Sequence, residues 1–153
     1  MRFIGAATAA TAAAGAVAVT ALGSAPLTKV QYLAKLRAAN AVSAKADGAA
    51  GAAVESKTAT PAQVKALFLA MGRTHMAIGK EFAALVPPKA AAKSNADFAH
   101  AEVVFGEQNE AIAAKLPATK AALLRYIQSL KPPSGGKMLD HAIAELHAAG
   151  FRI

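Results

Sequence analysis

The sequence predicts an all-α fold: an up-and-down antiparallel bundle of four main helices plus one short helix, placed behind an N-terminal signal peptide. Three observations predict it. Alanine fills 44 of the 153 positions, while only 5% of the residues are aromatic and Trp is absent. Alanine has the highest helix propensity and loses no side-chain entropy in a helix, whereas a sheet draws on the β-branched and aromatic side chains that are scarce here. Helix starts and stops are marked by Thr-x-x-Gln, proline and glycine signals. Between those marks apolar residues recur three and four positions apart, the spacing of one helix face. A chain of this length holds one domain with its targeting segment, which gives a signal over 1–25 and a single helical domain over 26–153.

The first segment, Met1 to Ala25, carries one basic residue, Arg2, and then an uncharged run of small and apolar residues as far as Ser24. A basic start, an apolar stretch and small residues at alternating positions are the marks of an export signal. Ala21-Leu22-Gly23 and Gly23-Ser24-Ala25 supply those positions, and Pro26 disfavours a cut after Ala25, so cleavage is expected after Ala21 or Gly23. The competing reading is an uncleaved anchor, because the run approaches the roughly 20 residues that span a bilayer, although its Ala, Thr and Gly make a poor span. The expected location is periplasmic or extracellular, membrane-tethered if the signal stays on.

The helices follow in order. Thr28 with Gln31 forms a capping box and opens a first helix over about Lys29 to Glu55, weakened at its far end by Gly48 and Gly51. Thr60-Pro61-Ala62-Gln63 repeats the box with proline at the first helical position, where its missing N–H costs nothing. That second helix runs to Leu85 and stops at Pro87-Pro88; its stripe is Val64, Leu67, Phe68, Met71, Ile78, Phe82 and Leu85. A third, from about Ala90 or Asn95 to Leu116, aligns Phe98, Ala101, Phe105 and Ile112. The short fourth, from Pro117 or Thr119 to Leu130, aligns Leu123, Tyr126, Ile127 and Leu130, and Pro132-Pro133 closes it. Ser134-Gly135-Gly136 reads as a flexible joint before the last helix, Lys137 to Ala149, with Leu139, Ala142, Ile143 and Leu146 on one face. Gly150 ends it, and Phe151 is expected to fold back. Short proline-bounded connections make neighbouring helices antiparallel.

The absence of cysteine excludes disulfides, thiolate metal sites, iron–sulfur clusters, thiol nucleophiles and covalent c-type haem. Net charge is +8, with the cations spread along the chain. A solvated helical surface explains such spacing, and the sharper reading is attraction to anionic envelope polymer or lipid head groups. With no Lys/Arg block, no aromatic stacking platform and no reading motif, nucleic acid is not an expected partner. The stretch from Ser94 to Ala114 reverses the sign, holding Asp97, Glu102, Glu107 and Glu110 and no Lys or Arg. Such an acidic helix suits a place beside the basic ones.

Among residues that could carry chemistry, His75 lies in the apolar stripe of the second helix, one turn after Met71, with Gly72 and Gly79 nearby. Its structural reading is a core histidine hydrogen-bonded to Gln108 on the third helix and Asn40 on the first, since a buried unpaired polar group costs roughly 1–3 kcal/mol. Its functional reading is a ligand for non-covalent haem or copper, with Met71 and Gln108 beside it. Met71 and His75 on one helix cannot clamp opposite faces of a haem. Di-iron chemistry needs several inward carboxylates, and Asp97-Phe98-Ala99-His100 is a single Asp-x-x-His. His141 and Glu145, at i and i+4, have the spacing of a weak surface metal pair. No serine sits on a nucleophile elbow, and Ser134-Gly135-Gly136-Lys137 lacks the parts of a phosphate loop.

The segment Leu27-Thr28-Lys29-Val30-Gln31-Tyr32-Leu33-Ala34-Lys35 resembles the opening of small exported bacterial alanine-rich helical proteins of unknown function. These begin with a Ser/Thr-Lys-x-(Glu/Gln)-aromatic step, and their first helix often carries a cysteine that this chain lacks. The resemblance implies export and an all-helical fold and transfers no active site. The expectation is an exported, non-enzymatic bundle that binds or associates with the cell envelope, with a haem or metal carrier using His75 as the alternative.

Overall fold

A computed structural model describes residues 25–153; the expected signal lies outside the described residues except for Ala25. The fold is all-α. Its elements are α1 (Lys29–Glu55), α2 (Pro61–Ala83), a 3-10 turn (Lys89–Ala91), α3 (Ala92–Lys115), α4 (Lys120–Ser129) and α5 (Ser134–Ala148). Among the described residues no helix is long and apolar enough to cross a membrane.

Both capping boxes form. Thr28 Oγ1 accepts from the Gln31 N–H at 3.2 Å while Gln31 Oε1 accepts from the Thr28 N–H at 2.9 Å. The same exchange joins Thr60 and Gln63 at 3.2 and 2.8 Å. Each satisfies donors that a helix start leaves free, and losing such a cap costs about 1 kcal/mol. At the other end of the chain Gly150 adopts φ 86°, a left-handed conformation. Its N–H donates to the His147 carbonyl at 3.0 Å and the Phe151 N–H to the Leu146 carbonyl at 2.9 Å. This is the paired bonding of a Schellman stop, and it turns Phe151 into the core, edge-on to Tyr32 with ring centroids 5.3 Å apart.

α2 and α3 form the central hairpin, and glycine sets their spacing. A Cβ on Gly72 would lie 2.7 Å from the Gly106 carbonyl oxygen, and one on Gly79 would lie 2.6 Å from the Ala99 oxygen. The room beside His75 that these small residues suggest is therefore taken up by the backbone of α3. α1 packs on α2, and α5 packs on α3.

The fourth column of the bundle is made in two pieces. Lys120 at the start of α4 donates to the carbonyls of Ser56 at 2.7 Å and Ala59 at 3.2 Å, tying α4 to the α1–α2 connection. Leu123 packs there with Ala53, Val64 and Leu116. α5 continues toward the opposite end, where Tyr32, Leu36, Ile78, Phe82, Phe98, Ala142, Leu146 and Phe151 make the larger cluster. Pro132 and Pro133 divide the pieces, since neither has an N–H to continue a helix.

Ser134-Gly135-Gly136 is not a flexible joint. It is the first turn of α5, and Gly135 is pressed on α3, where a Cβ would come within 2.6 Å of the Phe105 backbone. The glycine answers to close helix contact rather than to freedom. α2 also ends two residues earlier than its apolar stripe suggests, at Ala83, leaving Leu85 partly buried against the core outside the helix.

Candidate functional site: a buried imidazole between two carboxylates

His75 lies on the inner face of α2, as its place in the stripe predicts, with 1% of its side chain exposed. Two carboxylates hold it. Nδ1 is 2.5 Å from Glu102 Oε2 on α3, and Nε2 is 2.9 Å from Asp47 Oδ1 on α1. The edge-to-face ring of Phe105 packs on it at 4.6 Å between centroids. Two acceptors on opposite edges of one imidazole call for two N–H donors, which only the protonated ring possesses. Burial by itself favours the neutral ring, but hydrogen bonds to Asp47 and Glu102 and the charges on both outweigh it, and the pKa is pushed up from 6.5 to about 9.

The two acceptors differ in their surroundings. Glu102 is 3% exposed and has almost no water to solvate it, whereas Asp47 is 45% exposed at the rim of α1. The ring and Glu102 thus form a buried charge pair, and Asp47 links that pair to solvent. Removing one partner of such a pair strands the other and typically costs about 3–5 kcal/mol. The layer lies between the two apolar clusters and joins three helices at one level.

His75 does not take the partners expected from the sequence. Gln108 does not meet His75: its Oε1 accepts from the Gly135 N–H at 2.9 Å, and its Nε2 donates to Ser134 Oγ at 2.6 Å. α5 begins after Pro133, which offers no side-chain cap, so Gln108 caps it from across the helix interface. Asn40 is exposed, and its backbone carbonyl accepts from the Ser43 hydroxyl at 3.1 Å. The buried amide is Asn95 instead, which accepts from Tyr32 Oη at 2.9 Å and donates to the Phe82 carbonyl at 3.0 Å near the end of α2. Burial of that phenol pushes its pKa to about 12.

Met71 is buried one turn before His75. A haem iron or copper ion at His75 would have to displace Asp47 from Nε2, because Nδ1 faces the buried Glu102. Among the described residues no three His, Cys, Asp or Glu side chains converge as a metal-holding group. The His141 and Glu145 pair is 3.7 Å apart, with His141 74% exposed. Glu145 is drawn instead to Lys93 at 2.8 Å, and Asp97 binds the same ammonium at 2.8 Å. Lys93 thereby holds the Asp97 carboxyl below its usual range. Glu110 is half-buried and lies 3.6 Å from Arg73.

Glu102 and Asp47 are the residues that helix-face reading missed. A signal for Glu102 was present: Phe98, Glu102, Phe105, Asn109 and Ile112 recur at alternating steps of four and three. Asp47 likewise follows Tyr32, Leu36 and Ser43 at core spacing, and Ala50 follows it. Comparison with protein-family models, with curated proteins and with solved structures gives no match for this chain.

Proposed function

We propose that this chain is an exported, non-enzymatic helical-bundle protein that associates with anionic envelope polymer or lipid head groups through its surplus positive charge. The observation that carries the reading is the imbalance of surface charge. Of 17 cationic and 9 anionic residues in the chain, the carboxylate pairs made by Lys and Arg among the described residues are Lys35 with Glu81, Arg73 with Glu110, and Lys93 with Asp97 and Glu145. Arg37, Lys45, Lys57, Lys65, Lys80, Lys115 and Arg125 stand exposed on several helices and on the α1–α2 connection. Such a distribution attracts a polyanion without selecting its sequence or shape. The carboxylate clamp supports a non-catalytic role for His75, since both ring nitrogens are already bonded. Export rests on the Arg2-led apolar run.

Sedimentation with vesicles of anionic or zwitterionic phospholipid, and with an anionic wall polymer, tests the reading. Binding is expected to anionic material alone and to weaken at least tenfold between about 50 and 500 mM salt, as screening shortens the reach of charge. Equal binding to zwitterionic vesicles, or binding indifferent to salt, would refute it. Mass measurement of the exported protein is expected to show cleavage after Ala21 or Gly23.

A further inference from the structure

The two halves of α1 are held very differently. The first half is anchored by Tyr32, Leu36 and Ala39, all buried in the larger cluster, and by the hydrogen bond from Tyr32 to Asn95. Beyond Asp47 only Ala50 and Ala53 are buried, each contributing little more than a methyl group, and Val54 is partly buried against the smaller cluster. Gly48 and Gly51 stand in the same stretch with nothing within 4 Å of where a Cβ would lie, so no packing requires them. Each weakens the helix relative to alanine. The polar ties of this weak segment to the rest of the bundle are the contact of Asp47 with His75 at its start and, just past its end, the bonds from Lys120 to the Ser56 and Ala59 carbonyls.

The tie through Asp47 depends on the second ring proton. A neutral imidazole has one N–H and two carboxylates to serve. Glu102 is 3% exposed and has no solvent to turn to, whereas Asp47 is 45% exposed and does. The remaining proton therefore stays on Nδ1 with Glu102, and Nε2 presents a lone pair to the Asp47 oxygen. Two acceptors 2.9 Å apart repel, and Asp47 leaves for water. The charges that bear on the ring are Glu102 from α3 and Asp47 from α1. On α2 itself Arg73 is exposed and paired with Glu110 of α3, and the turn of α5 that packs on Phe105, Ser134-Gly135-Gly136, is uncharged.

We propose that His75 is a proton-operated latch on α1: the doubly protonated ring holds Asp47 and Glu102 together, and loss of the Nε2 proton releases the segment from Gly48 to Glu55 while the α2–α3 hairpin stays closed. The latch is shut at neutral pH and opens near 9, where the ring loses its proton.

Nuclear magnetic resonance of the intact chain between about pH 7 and 10 tests this. The His75 ring nitrogens report the proton, and the 13Cα shifts of residues 48–55 report the helix. Nε2 is expected to lose its proton while Nδ1 keeps it, and residues 48–55 are expected to lose their helical shifts with the midpoint of the ring titration while residues 61–83 and 92–115 keep theirs. A segment that stays helical through the ring titration, or a loss shared by all three helices, would overturn the latch. Asp47→Asn, a change at a rim position, gives an independent measure. It is expected to lower the ring midpoint by at least one pH unit and to reduce amide protection over 48–55 at least tenfold at pH 7. Unchanged protection there would overturn the proposal.

Discussion

Raising the pH toward about 9.5 weakens this fold through one group, His75. In the unfolded chain an imidazole titrates near 6.5, whereas between Asp47 and Glu102 it does so at about 9. The folded state therefore binds the proton more tightly. Its contribution is fully present below 6.5, declines as the unfolded chain stops competing for the proton, and is gone once the pH has passed through 9. At about 1.4 kcal/mol per pH unit the gap is worth about 3 kcal/mol, and solvent screening of the exposed Asp47 reduces this to about 2. Urea unfolding at half-unit pH steps measures it, read as the unfolding free energy at constant slope. The window is clean at its upper edge because Tyr32, pushed to about 12, destabilises the fold only as the pH rises above 10. His75→Gln is expected to start less stable and to show a flat profile from 6.5 to 9.5. A flat profile in the wild-type chain, or the same decline in the variant, would refute the assignment of the proton to this clamp.

Other substitutions test the packing. Gly48→Ala and Gly51→Ala, in open space on α1, are each expected to raise stability by about 1 kcal/mol in the same urea assay. Gly72→Ala is expected to do the reverse, by about 1–3 kcal/mol or more, because its Cβ would strike the Gly106 carbonyl oxygen and neither backbone can yield locally. Gln108→Ala removes the cap of α5 and is expected to cost about 1 kcal/mol, with faster amide exchange confined to the first turn of that helix. Phe151→Ala opens a cavity beside Tyr32 and is expected to cost about 3–5 kcal/mol by thermal unfolding.

The readable parts of the sequence were those whose physics is local. Thr28 with Gln31, Thr60 with Gln63, and Gly150 with Phe151 act within a turn of themselves, so the chain alone marks these helix ends. The stripe through Val64, Met71, His75, Ile78 and Phe82 is likewise local, and it placed His75 inside the bundle. What the imidazole meets there depends on how α1 and α3 slide against α2, and no local pattern carries that. The choice of Gln108 and Asn40 assumed that a buried imidazole takes neutral partners, because carboxylates are costly to bury. A protonated ring reverses that cost and admits Glu102. Ser134-Gly135-Gly136 is ambiguous in the sequence for a related reason: glycine serves both loose joints and tight helix contacts, and only the position of Phe105 tells them apart.

The break at Pro132 and Pro133 bears on the order in which the molecule assembles. A single long fourth helix would have to dock along its whole length at once, and an error at one end would propagate to the other. Two short pieces search separately. α5 finds α3 through partners 26 and 27 residues apart, Gln108 with Ser134 and Gly135, whereas α4 must reach the α1–α2 connection across the 64 residues between Ser56 and Lys120. Contacts close in sequence form at lower entropic cost. On this ground the α2–α3 hairpin and α5 are expected to assemble early, and the bonds from Lys120 that close the far end of the bundle are expected to form late.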